Sequence, residues 1–140
     1  VLRRHALDTG LSSFRQLFAT GFSYYEYARD LSDIGRYYVQ FDRLIAHWRA
    51  TLPGRVHEVR YEALVADQRA ETGRLLAHCR LPWEEACLHF EHNEQAVATA
   101  SAVQVRQPLY AGSVGRWRRF ERHLQPLIAE LLAAGVPVTD

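Results

Sequence analysis

The 140-residue chain has no lysine, no methionine and only two cysteines. All seventeen fixed positive charges are therefore arginines, whose planar, forked guanidinium suits phosphate and sulfate better than an ammonium does. No G-x-x-x-x-G-K phosphate loop exists anywhere in these residues, which excludes that nucleotide cradle within them. Cys79 and Cys87 lack the spacing of a metal site and are expected to be buried free thiols, so nothing points to an oxidising compartment. No stretch approaches the roughly 18 apolar residues of a membrane span, and no charged-then-apolar signal segment opens the chain; the expectation is a cytoplasmic protein without a membrane span. The opening VLRRH reads as the end of a buried strand, and with methionine absent the true N-terminus is expected upstream. A formal net charge of +1 removes the polycation that a general nucleic-acid binder presents.

With 48% hydrophobic residues, the chain has the composition of a soluble globular core, one domain or part of one. After VLRR, the run LDTGLSSFRQLFATG places Leu11, Phe14, Leu17 and Phe18 at helical spacing, with Gly21 as a stop. An aromatic loop, FSYYEYARDL, leads to a long helix that Ser32 or Asp33 is expected to cap. Its apolar stripe is Ile34, Tyr37, Tyr38, Phe41, Leu44, Ile45 and Trp48, and LPGR ends it. VHEVRY alternates as a strand of about six residues does, and the helix RAETGRLLAHCRL follows EALVADQ. Beyond Pro82, WEEACLHFEH is expected as a short helix and HLQPLIAELLAAG as a terminal one. Alternation of strand and helix predicts an α/β fold with a mainly parallel sheet, whose ligands gather at the carboxyl ends of its strands.

Three stretches have the chemistry of anion sites. In RRHALDTGLSS, Arg4 stands at a strand exit and Ser12 lies in the first turns of the next helix, a guanidinium and a hydroxyl suited to one phosphate. Tyr61, at the end of VHEVRY, places a hydroxyl at the ligand edge of a sheet or simply packs there. The run TASAVQVRQPLYAGSVGRWRRFE, Thr99 to Glu121, carries Arg106, Arg116, Arg118 and Arg119 with one acid, and Pro108 and Gly112 are expected to keep it irregular. As a mobile basic loop it would close over a polyanion and exclude water; otherwise it is a solvated basic turn anchored by Trp117.

In this order and spacing, RRHALDTGLSS, VRYEAL with LPWEEACLHFE, and TASAVQVRQPLYAGSVGRW resemble the sulfotransferases that use 3'-phosphoadenosine 5'-phosphosulfate (PAPS). The likeness covers nearly the whole chain and is nearest to bacterial sulfotransferases that often carry tetratricopeptide repeats and to tyrosylprotein sulfotransferases. It implies a P-loop-type parallel sheet flanked by helices, transfer of a sulfonate from PAPS to a hydroxyl-bearing acceptor, and no metal. It also implies that Arg4 and Ser12 grip the donor's 3'-phosphate, that Arg15 lies one residue short of a further nucleotide-contacting arginine, and that Tyr61 binds nucleotide. Ser101 matches the serine that stabilises the transition state, and Gln104, Val105 and Arg106 fall in the nucleotide-embracing segment. Arg116 stands where the tyrosylprotein enzymes place lysine, keeping the charge with a different donor geometry. Arg4, Ser12 and Ser101 are then expected to share one cleft.

The family's glycine-rich phosphosulfate loop and its acceptor-activating base lie upstream of the Arg–Ser pair in that pattern. Residues 1–140 are thus expected to be the C-terminal portion of a single sulfotransferase domain, inactive by itself. Of the seven histidines, His89 and His92 form the one close pair, without an HExxH or carboxylate pattern to support a metal, and His5 is of interest beside Arg4. Two other functions remain open: a nucleic-acid-binding module in which GRWRR supplies arginines and a stacking tryptophan, and a non-catalytic nucleotide-binding relative. The acceptor stays open among protein tyrosine, saccharide, lipid and small metabolite, and nothing in the pattern reads on oligomeric state.

Overall fold

A computed structural model describes residues 1–16, 18, 23–93, 95 and 106–138. Two compact units are formed, a strand unit of Val1–Arg3 and His57–Gly112 and a helical unit of Arg4–Val56 and Ser113–Asp140. Among the described residues the chain is mostly helical with one two-stranded parallel sheet.

In the strand unit, β1 (Leu2–Arg3) pairs in parallel with β2 (Val59–Arg60), Leu2 opposite Val59 and Arg3 opposite Arg60. The six-residue strand expected over VHEVRY is thus two residues long, and Tyr61 opens α3 (Tyr61–Ala66) instead of closing the strand. A ladder extends only as far as its partner does, and β1 ends at Arg3. Arg3 Nε meets Glu58 Oε2 at 2.9 Å beside the ladder. The Asp67 side chain caps α4 (Gln68–Cys79) by accepting from Ala70 N–H at 2.9 Å. The helix ends where Arg80 adopts the left-handed conformation, φ 57°, and Leu81 N–H returns to Leu76 O at 2.9 Å. WEEACLHFEH forms two short 3-10 turns, Glu85–Leu88 and Phe90–His92, rather than one helix. Cys79 and Cys87 are free but exposed, contrary to expectation, because one ends α4 and the other sits on the first of these surface turns.

The helical unit holds the core. Its helices are α1 (Ala6–Arg15), α2 (Leu31–Thr51) and α5 (Gln125–Ala133), with 3-10 segments at Ser23–Arg29 and Arg116–His123. Leu7, Leu11, Ile34, Tyr38, Leu127 and Leu131 belong to one buried cluster. α5 lies against α1 and α2 at glycines: a Cβ on Gly35 would fall 2.7 Å from Glu130 Cβ, and one on Gly10 would overlap Leu127 Cδ2. The buried face of α1 is Ala6, Leu7, Asp8, Gly10 and Leu11, one turn ahead of the expected stripe, and Phe14 is exposed. α1 stops at Arg15 because Gln16 turns extended, and Phe18 stacks on Tyr25 with ring centroids 4.4 Å apart. Leu17 and Gly21 lie outside the described residues. Asp30, not Ser32 or Asp33, caps α2, its Oδ1 accepting from both of their N–H groups at 2.8 and 3.1 Å. Only the Ile34, Tyr38 and Ile45 positions of the expected α2 stripe are fully buried, Phe41 is partly so, and Tyr37, Leu44 and Trp48 face outward.

Candidate functional site

Arg4 is the first residue past β1 and stands directly before His5, the N-cap of α1. One amino group of its guanidinium donates to Ser113 O at 2.6 Å, and its carbonyl accepts from the Tyr38 hydroxyl at 3.1 Å. A long, flexible side chain is thereby fixed at its head, and its backbone at its root, which lowers the ordering entropy left for a ligand to overcome. His5 is built into the packing beside it. Its Nδ1 accepts from Leu7 N–H at 3.3 Å, and its ring stacks on Trp117 at 5.2 Å with planes 4° apart.

Asp8 organises the other side. Its carboxylate is 1% exposed and accepts from Gly115 N–H at 2.7 Å and Trp117 N–H at 2.9 Å, charge-assisted bonds of the stronger class. Gly115 itself takes a positive φ of 68°, a conformation that glycine adopts without steric cost. The expected irregular loop is therefore partly ordered: Arg116–His123 is a 3-10 segment with Trp117 in the core. Arg116, Arg118 and Arg119 project from it exposed, and the Arg118 guanidinium lies 5.2 Å from the Trp117 ring centroid. Within the helical unit, then, Arg4 is bonded to the arginine-rich stretch through Ser113, and that stretch is held by the buried Asp8 carboxylate.

Ser12 is exposed on α1, seven residues past the cap, about 10 Å further along the axis at the helical rise. Ser12 thus lies about two helical turns beyond the cap that follows Arg4. Arg15 is the exposed last residue of α1. In the strand unit the Tyr61 hydroxyl donates to Tyr110 O at 3.3 Å, and Arg106 donates to Gln95 O at 2.6 Å. Ser101, Gln104 and Val105 lie outside the described residues. Guanidinium and hydroxyl donors are what a phosphate monoester, which offers only acceptors at neutral pH, requires, and Arg4 and Ser12 are donors of those two kinds.

Sequence reasoning missed Asp8, Tyr38 and Ser113. The signal for Asp8 was present: an acid at the core-facing spacing of Leu7 and Leu11 needs a buried partner.

The profile of the sulfotransferase family matches residues 1–85, a span that contains Arg4, Ser12, Arg15 and Tyr61. The chain belongs to the sulfotransferase family. An uncharacterized protein of Aquifex aeolicus (strain VF5) is 36% identical over 134 residues, which take in 96% of this chain and 18% of that protein. This sulfotransferase-family chain thus spans under a fifth of the length of that relative. No helix among its described residues is long and apolar enough to cross a membrane.

Proposed function

We propose that this sulfotransferase-family chain binds the nucleotide end of PAPS in an enzyme that transfers its sulfonate to a hydroxyl acceptor. β1 and β2 are then two strands of a P-loop-type parallel sheet. Arg4 and Ser12 hold the 3'-phosphate, Arg15 adds charge at the end of α1, and Arg116 contributes a further cation. Tyr61 and Arg106, with Gln104 and Val105, bind nucleotide as the family pattern assigns them. Ser101 donates to the charge that builds on the leaving phosphate, and its loss is expected to slow turnover by roughly 100- to 1000-fold. PAPS supplies the transferable sulfonate; the protein binds, orients and stabilises developing charge, which is most of what such a transfer needs.

The observation that carries this reading is the family match over the residues that include Arg4 and Ser12, with Arg4 held in place by Ser113 and Tyr38. Because these 140 residues contain no glycine-rich phosphate loop, binding is the proper readout. Calorimetric titration of the chain with adenosine 3',5'-bisphosphate and with AMP separates a 3'-phosphate site from general anion binding. The bisphosphate is expected to bind at least about tenfold more tightly, a preference lost in Arg4→Ala, since hydrogen bonds to charged groups contribute about 1.5–3 kcal/mol. Equal affinity for the two nucleotides, or an unchanged preference in Arg4→Ala, overturns the assignment.

A further inference from the structure

No residue of the 3-10 turn Phe90–His92, nor His89 from which it is entered, has an assigned role in the sulfonate-transfer reading. The sequence showed two histidines and no carboxylate pattern, but the turn brings one in. Glu91 Oε1 lies 3.8 Å from His89 Nδ1 and 3.9 Å from His92 Nε2. One ligand atom from each of the three side chains falls within 4.8 Å of the others, and the two imidazole planes are 11° from parallel. Both contacts are too long for hydrogen bonds. A carboxylate oxygen almost equidistant from two imidazole nitrogens, yet bonded to neither, has the spacing of groups that share an ion.

We propose that His89, Glu91 and His92 bind a divalent first-row transition metal, with zinc(II) best suited. Two imidazole nitrogens and one carboxylate oxygen are an established donor set for zinc, and three protein ligands leave a fourth position for water or an outside group. Tetrahedral zinc with metal–nitrogen bonds near 2.0 Å sets its ligand atoms about 3.3 Å apart, so the two carboxylate contacts close by roughly half an ångström and the imidazole nitrogens, within 4.8 Å of each other, by up to about 1.5 Å. The side chains have room for that movement: His89 is 55% and His92 78% exposed, while the Glu91 side chain, at 16%, is already held. The segment that enters the turn is tied to α4, since Gln68 donates to Leu88 O at 3.3 Å. Among the described residues no other three histidine, cysteine or acidic side chains converge as closely. The His57–His78 stack, with centroids 5.0 Å apart, provides a natural control.

Calorimetric titration of the chain with zinc chloride tests the site, alongside His89→Ala, His92→Ala, Glu91→Gln and the control His78→Ala. Both histidines are exposed, so their variants keep the fold, which circular dichroism verifies. One zinc per chain is expected, with affinity reduced at least about tenfold in all three site variants and unchanged in the control. Absence of saturable zinc binding, retention of full affinity in any site variant, or loss of affinity in His78→Ala overturns the proposal.

Discussion

The helical unit buries Leu7, Leu11, Ile34, Tyr38, Leu127 and Leu131 in one cluster, whereas Val59 is the only apolar side chain of the strand unit that is fully buried among the described residues. The strand unit relies instead on a short ladder, helix caps, the partly buried pair of Arg3 with Glu58, and surface ion pairs such as Arg69 with Glu85. Exposed pairs of this kind contribute about 0–1 kcal/mol each, against about 2–5 kcal/mol for a well-packed core leucine truncated to alanine. The arginine-rich run is divided between these regimes. Arg116, Arg118 and Arg119 stand on a packed tryptophan and a buried carboxylate, while Arg106 and Tyr110 are tied by single bonds to backbone carbonyls or side chains. Preorganised charge belongs to the first half of that contrast, adaptable contacts to the second.

Truncating Trp117 should be the largest perturbation. Trp117→Ala is expected to destabilise the helical unit by about 3–5 kcal/mol, read as the urea midpoint, because it removes both the core ring and the platform on which His5 and Arg118 rest. Asp8→Ala comes next, at about 1.5–3 kcal/mol in all, since water that enters the vacated site takes over part of the two bonds to Gly115 and Trp117 N–H. Its specific signature is faster hydrogen exchange at the Gly115 and Trp117 amides, with α2 amides much less affected. Val59→Ala should cost the strand unit about 1–2 kcal/mol, from the two methyl groups removed. A cost equal to that of Trp117→Ala would erase the contrast between the units.

The smallest effect is expected at Glu85. The Arg69 guanidinium first, and then the Trp83 indole N–H, hold its carboxyl below the ordinary carboxylate range. A depressed folded-state pKa stabilises above the unfolded value and loses that contribution as pH falls through the folded one. Glu85→Gln should therefore lower the strand unit's stability slightly at neutral pH and converge with the unaltered chain in acid, measured as urea midpoints across pH.

Local patterns and the parallel sense of the sheet were legible in the sequence, and particular long-range partners were not. The existence of α2, α4 and α5, the parallel pairing and the place of Arg4 at a strand exit all follow from periodicity, caps and alternation. Strand length did not, because the extent of β2 is set by β1 across the ladder. The role of Asp8 depends on partners 107 and 109 residues away, and no spacing rule reaches that far. The irregular reading of Thr99–Glu121 failed at its C-terminal end for the same reason, since Trp117 is ordered by α1 rather than by its neighbours. Glu91 was overlooked because a continuous helix would turn it away from His89, whereas His89 stands outside the turn as its N-cap, at φ -120° and ψ 43°, and can meet Glu91 from there.

The most direct test of a 3'-phosphate site built on Arg4 is a titration of the isotope-labelled chain with adenosine 3',5'-bisphosphate, followed amide by amide in two-dimensional NMR spectra. Shifts at Arg4, Ser12, Gly115 and Trp117 that saturate together, and that AMP does not reproduce, are the expected result. Saturation by AMP at the same concentration, or shifts that leave these four amides untouched, would contradict it.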